Sequence, residues 1–201
     1  MKVNLIIVFK NTTEPDSEQT EPSSFKEAIN GKDAHKWWRA MDTELEALMG
    51  AFTWTLVPEK EATNIITGKW VYKLKYKDGQ IHRYKARWVA RGFTQRKGID
   101  FNEVFSAVVR ASTVKLHIAT ANQMSHFMRL IDVTNVFVQT ETADHDMFVR
   151  QPKGYEEYDK NGNVLVCKLN KFLYGLLQSS REFSAKLTRV LTEEFGFQQS
   201  E

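Results

Sequence analysis

Cysteine is almost missing from this sequence. Cys167 stands alone among 201 residues, which excludes an internal disulfide framework, and five scattered histidines offer no Cys/His zinc spacing. A reducing compartment is the default for such a chain. Long hydrophobic runs are missing as well. The run Val3 to Phe9 has seven residues, against the roughly 20 that a bilayer requires, and no small-residue cleavage site follows it. A soluble chain without membrane association is expected. What is present, 42% hydrophobic and 12% aromatic residues, suffices for a real core of one domain, or of one domain and a piece of another.

Acid is scarce in one region only. Between Lys69 and Lys97 there are ten Lys or Arg against a single acid, Asp78, although the whole chain carries only +3. The rest of the chain is therefore net acidic. Trp70, Tyr72, Tyr76, Tyr84, Trp88 and Phe93 interleave with the basic residues, the pattern of a phosphate-binding surface. A solvated strand face is the plainer reading of the same residues.

Residues 10–24 are polar and contain Pro15 and Pro22, so 1–24 reads as a disordered tail or linker and 25–201 as the folded unit. Trp37, Trp38, Met41, Leu45 and Leu48 recur at helical spacing between Asp33 and Met49, which predicts an amphipathic helix stopped by Gly50. A short strand over 53–57 ends at Pro58. Two β-prone runs, 65–77 and 80–90, flank Asp78-Gly79 and predict a hairpin. A two-residue loop would put the basic rows on opposite faces. A three-residue loop with Gly79 left-handed and bulged instead sets Lys75 opposite Arg83 and Lys73 opposite Lys85, and this register is expected. Like charges so placed destabilise a sheet by some tenths of a kcal/mol each, so the face makes sense if a polyanion visits it.

Downstream, Ser112 or Thr113 is expected to cap a helix to about Ser125, with Leu116, Ala119 and Thr120 toward a core. Residues 127–138 favour a strand. Asp132 sits in its middle, where a carboxylate costs free energy unless an arginine, a hydrogen-bond network or a cation compensates it. Strands are expected at 147–149 and 164–169, the second entered through Asn161-Gly162. A closing helix is expected over 180–195, with Phe183, Leu187, Val190, Leu191 and Phe195 on one side. Elements mixed without βαβ alternation predict an α+β fold with an antiparallel sheet.

The order of landmarks resembles the reverse transcriptase of copia-type long-terminal-repeat retrotransposons. The resembling stretches are Trp38-Arg39-Ala40-Met41, Thr53-Trp54-Thr55-Leu56-Val57, Lys69-Trp70-Val71-Tyr72-Lys73, Arg83-Tyr84-Lys85-Ala86-Arg87 and Gly92-Phe93-Thr94-Gln95. They continue with Gly98-Ile99-Asp100-Phe101, Asp132-Val133 with Phe137, Gln151-Pro152-Lys153-Gly154-Tyr155, and Leu173-Tyr174-Gly175-Leu176 with Gln178.

That resemblance implies the fingers and part of the palm of a right-hand polymerase, one segment of a polyprotein that acts on RNA template, DNA primer and dNTP in the cytoplasm or a virus-like particle. It implies Asp132, with the Val133 carbonyl, as ligands of catalytic Mg²⁺. Phe137 becomes the gate beneath the incoming sugar, and Arg83 with Lys75 or Lys77 the contacts to the triphosphate. Tyr174 falls beside the nucleotide, and Lys73, Lys85, Arg87, Arg91 and Gln178 beside nucleic acid. The family's second acids lie on an aromatic-x-Asp-Asp turn, and no Asp-Asp pair occurs in these 201 residues. Two magnesium ions need both sets, so the chain alone, also without thumb and ribonuclease H segments, is expected to be inactive. Departures from the family pattern include Val136, Thr140, Leu177 and Ser180. The alternative is a non-enzymatic module that binds nucleic acid through the hairpin 69–97.

Overall fold

The described residues of the computed structural model are 20–106, 109–128, 133, 135–142 and 146–198. Ser24 opens the first helix by accepting the Glu27 backbone N–H at 3.2 Å on its hydroxyl, which satisfies one of the orphan donors of the first turn. Helix α1 then spans Phe25–Asn30 and α2 spans Ala34–Gly50. The expected apolar stripe of α2 is real: Trp37, Met41 and Leu48 are buried. The helix ends at Gly50, as expected. The chain reverses at Phe52, with φ 53°, and the Thr53 hydroxyl donates to the Leu48 carbonyl at 2.7 Å.

Strands β1 (Trp54–Pro58), β2 (Ile65–Ile66), β5 (Phe148–Val149) and β6 (Leu165–Leu169) form one sheet in the order β1-β6-β5-β2. Its pairs are antiparallel except β2 with β5. Strands β3 (Gly68–Lys77) and β4 (Gln80–Ala90) form a separate antiparallel hairpin. The mixed α/β composition with antiparallel pairing agrees with the expected fold class.

Lys75 faces Arg83, Lys73 faces Lys85 and Val71 faces Arg87, as the charge pattern predicts. The means differ from expectation. The loop has two residues, Asp78 and Gly79, both at positive φ (53° and 79°), the geometry of a primed hairpin turn. The register shift lies between Lys75 and Tyr76, where Tyr76 pairs with Ile81 and leaves His82 as the extra residue. A tight Asp-Gly turn and the basic register are thus reconciled by a bulge on β4 rather than by a longer loop.

Trp70, Tyr72, Leu74, Ala86 and Trp88 are buried on the other face of the hairpin, against α2. Trp37 meets Tyr72 and Tyr84 edge-on at 5.2 and 4.8 Å between ring centroids, geometries that add to the area term. The Gln151–Tyr155 stretch closes the other end of this core. Trp70 donates its indole N–H to the Lys153 carbonyl at 2.9 Å, and Tyr155 packs on Trp38 while donating its hydroxyl to Asp42 at 2.5 Å.

Three expectations are met only in part. The 127–138 strand cannot be followed, since 129–132 and 134 lie outside the described residues, but Val136–Gln139 is a 3₁₀ turn entered through left-handed Asn135 (φ 50°), not a strand end. Helix α3 runs Ala111–Gln123 with Arg110 in the cap position and no side-chain cap, and none of its residues is buried; Leu116 is 65% exposed. Helix α4 ends at Arg189 after starting at Ser179, and continues as one π-turn, Val190–Glu194, with Phe195 67% exposed.

Candidate nucleic-acid interface

The outward face of the hairpin carries Lys73, Lys75, Arg83 and Lys85 side by side, with Lys77 past the bulge, Arg87 nearer the base and Arg91 just beyond β4. Concentrating cations has electrostatic consequences. Lys85 is held below the ordinary lysine range, first by burial and then by Arg87, Arg83 and Lys75, with Glu44 opposing. Glu44, reaching from α2, is itself pushed up by burial, although Arg87, Lys85 and the Trp88 backbone N–H favour its ionised form.

Glu21 is the other acid on this surface. Its carboxylate accepts the Lys73 ammonium at 2.7 Å and the Leu74 backbone N–H at 2.9 Å. Burial works against its charge, but those two hydrogen bonds, helped by the positive field of Lys73 and Lys75, hold the carboxyl below its usual range. Glu21, within the expected tail, is therefore docked on β3, while Ser23 and Ser24 bond to Glu27 at the start of α1.

At the hairpin base three residues singled out from the sequence meet. The Phe137 and Tyr174 rings stand edge to face at 4.7 Å, and the Arg87 guanidinium lies 4.7 Å from the Tyr174 ring centroid. The backbone brings them there. Ala90 N–H donates to the Tyr174 carbonyl at 2.8 Å and Gly92 N–H to the Gly175 carbonyl at 3.1 Å, so the end of β4 pairs with residues 174–175. Gly175 has φ 89°, and a Cβ on it would fall 2.1 Å from the Ala90 carbonyl oxygen. No other residue type fits this junction. The Phe137 turn is latched to the same segment by the Phe172 N–H, which donates to the Thr140 carbonyl at 3.0 Å.

Gln178 is placed differently from expectation. It is 3% exposed, donates to the Asp100 carbonyl at 2.9 Å and accepts the Gln95 amide at 2.9 Å. Gln95 in turn accepts the Leu177 N–H at 2.8 Å. An amide committed on both sides inside the protein is not available to nucleic acid, so its role is to fix the segment bearing Tyr174. Asp100, buried and accepting Asn64 and the Arg96 N–H at 2.6 Å each, belongs to the same network. The sequence carried no signal for this, because a polar residue within a motif looks the same whether it serves a ligand or the backbone.

Val133 is 38% exposed. Asp132 lies outside the described residues, and among those described no group of three His, Cys, Asp or Glu is placed to hold a metal ion. No helix among them is long and apolar enough to cross a membrane.

Residues 51–201 match the family model for reverse transcriptase (RNA-dependent DNA polymerase). The chain is 38% identical over 175 residues to the Retrovirus-related Pol polyprotein from transposon RE1 of Arabidopsis thaliana, covering 86% of this chain and 12% of the relative. It is 37% identical over 180 residues to that from transposon TNT 1-94 of Nicotiana tabacum, covering 89% and 13%. A third relative, the uncharacterized mitochondrial protein AtMg00820 of Arabidopsis thaliana, is 46% identical over 89 residues, covering 44% of this chain and 52% of that protein. No solved structure matches. The chain thus spans about an eighth of the Pol polyproteins it resembles. With a family match across three quarters of its length and relatives of this identity along most of it, the chain belongs to the reverse transcriptase family, in the branch carried by copia-type Pol polyproteins.

Proposed function

We propose that this chain is the fingers and partial palm of a retrotransposon polymerase and that its hairpin face receives a nucleoside triphosphate above the Phe137–Tyr174–Arg87 cluster. The observation that carries this reading is that cluster: an aromatic floor and a stacked guanidinium at the foot of a row of cations. Phosphoryl transfer is catalysed mainly by positioning and by neutralising charge. Here Lys75, Lys77 and Arg83 supply charge for the phosphates, while the edge-to-face rings of Phe137 and Tyr174 offer an apolar surface to the sugar. Arg87, which the sequence assigned to nucleic acid, joins the nucleotide group because it is stacked on Tyr174. Lys73, Lys85 and Arg91 hold the phosphate backbone of template or primer.

Asp132 and the Val133 carbonyl are the residues that would hold magnesium, which supplies neutralisation of the attacking and leaving oxygens in a two-ion site. Oxygen donors of this kind suit the ion, but one carboxylate is half of what two ions need. The supporting experiment is calorimetric titration of the chain with dTTP and Mg²⁺. Arg87→Ala is expected to weaken binding about twofold to thirtyfold, the equivalent of the ~0.5–2 kcal/mol of a guanidinium on an aromatic face. Unchanged affinity would overturn the assignment. Since no Asp-Asp pair is present in these residues, primer extension by the isolated 201-residue chain is expected to stay at background, and product above it would show that the acids present suffice.

A further inference from the structure

Outside the hairpin, β1 ends the four-stranded sheet, and its outer edge has no strand beside it among the described residues. The groups this edge presents follow from the ladder. Leu169 donates its N–H to the Met147 carbonyl at 2.8 Å, away from β1, so its partner Trp54 sits in a non-hydrogen-bonded pair and aims its own N–H and C=O outward. Leu56, opposite Cys167 and two residues on, does the same. Among the described residues, no backbone group bonds these outward N–H and C=O groups. Pro58 closes the edge, since it carries no N–H.

A groove of about 320 Å³ adjoins this edge, with an apolar lining of Leu45 and Met49 from α2, Trp54 and Leu56 from β1, and Pro152 with Tyr155. The spacing explains the lining: i and i+4 share a helix face, and i and i+2 share a strand face. Met49 stays 55% exposed. The rim is acidic. Glu156 and Glu157 also line the groove, and Asp42 and Glu46 stand one turn before Leu45 and Met49, with Asp42 accepting the Tyr155 hydroxyl at 2.5 Å. None of these four carboxylates has an ion-pair partner among the described residues, and no Lys or Arg lines the groove. Lys153, in the same loop as Glu156, lies over the Phe25 ring instead, 5.9 Å from its centroid.

We propose that β1 and its groove dock an extended basic peptide of another protein. The peptide adds as a strand along Trp54 and Leu56, lowers an aliphatic side chain into the groove, and sets flanking Lys or Arg against Glu46, Glu156 and Glu157. Each part answers one observation: an open row of N–H and C=O groups selects an extended chain, the apolar lining selects its side chain, and the unpaired carboxylates select its charge. Charge also decides against other occupants. Nucleic acid would meet four carboxylates, and a second copy pairing edge to edge would bring two acidic rims together. The surface shares no residue with the Phe137–Tyr174–Arg87 cluster or the cation row, so it stands independently of the nucleotide reading.

The test is fluorescence anisotropy of a labelled peptide, Lys-Arg-Val-Thr-Val-Arg-Lys, titrated with the 201-residue chain. Saturable binding that weakens with added salt is expected, and the acidic counterpart Glu-Glu-Val-Thr-Val-Glu-Glu should not bind. Glu46 and Glu157 are exposed, so the double variant Glu46→Lys/Glu157→Lys is expected to fold as judged by circular dichroism. It should weaken binding of the basic peptide at least about fivefold. Glu193→Lys/Glu194→Lys, the same charge change at exposed residues outside the groove, should do little. N-methylation of the three central peptide residues keeps every charge but removes the donors that would pair with β1, and it should abolish binding. No saturation by about 1 mM peptide, equal losses for the two double variants, or full binding of the N-methylated peptide would overturn the proposal. Sedimentation equilibrium examines the competing occupant: a dimer that the basic peptide dissociates would assign the edge to a second copy and overturn it as well.

Discussion

The α2–hairpin region and the α3–α4 region were both expected to turn apolar residues toward a core, yet only the first buries them. Trp37, Met41 and Leu48 of α2 meet Tyr72, Tyr84 and Trp88 of the hairpin, while Leu116 on α3 and Leu187 on α4 remain 65% and 40% exposed. Helical spacing states that a face exists. Whether it is covered depends on a complementary surface arriving from elsewhere in the chain, and the hairpin supplies one because its buried row alternates with its basic row. The contrast shows that the hairpin with α2 is the better-packed of the two regions, and that it carries both the cation row and the Arg87 end of the aromatic cluster.

The sharpest way to break this contrast is truncation on each side of it. Met41→Ala empties a fully buried site and is expected to cost about 2–5 kcal/mol in urea unfolding, whereas Leu116→Ala on exposed α3 should stay within about 0.5 kcal/mol. Equal losses would mean that α3 is packed as tightly as α2. Next in size comes the junction between hairpin and Tyr174 segment. Gly175→Ala meets both the positive φ and the Ala90 carbonyl, so it should destabilise by more than about 1 kcal/mol and weaken dTTP binding by displacing Tyr174. Stability and binding that both match the parent would remove the junction as the organiser of the site.

The smallest expected effect concerns Glu21 on β3. Its carboxyl is held low in the folded state, so its contribution is complete at neutral pH and is lost as pH falls below the ordinary glutamate value of 4.5 and through the lowered folded one. Glu21→Gln should therefore narrow the stability difference between pH 7 and pH 3 slightly. It should also raise affinity for oligothymidylate, since a carboxylate leaves the cation row. A variant with the parent's acid profile and affinity would show that Glu21 does not compete for this face.

Much of the hairpin was legible because its evidence is local. Asp78-Gly79 demands a tight turn, period-two alternation separates the aromatic from the basic residues, and like charges can share a face only in one register. The bulge that makes turn and register compatible was misplaced, because one extra residue can sit at the tip or several residues down the strand with the same pairing above it. Gln178 was read as a ligand contact and proved to be an internal strut. Residues 136–138 were read as the end of a strand and lie in the 3₁₀ turn Val136–Gln139, since Asn135 takes the left-handed conformation that a run of β-branched neighbours conceals.

The sequence by itself determined the family, the basic hairpin with its facing cations, and the aromatic stripe of α2, because each is written in residue types a few positions apart. Only the tertiary structure decided that Arg87 stacks on Tyr174 beside Phe137, that Gln178 turns inward, and that β1 keeps an open edge beside an acid-rimmed groove. Those outcomes depend on where distant backbone segments come into register, above all at the Ala90–Tyr174 and Gly92–Gly175 hydrogen bonds, and hydrogen bonds between segments more than 80 residues apart leave no periodic trace in the chain.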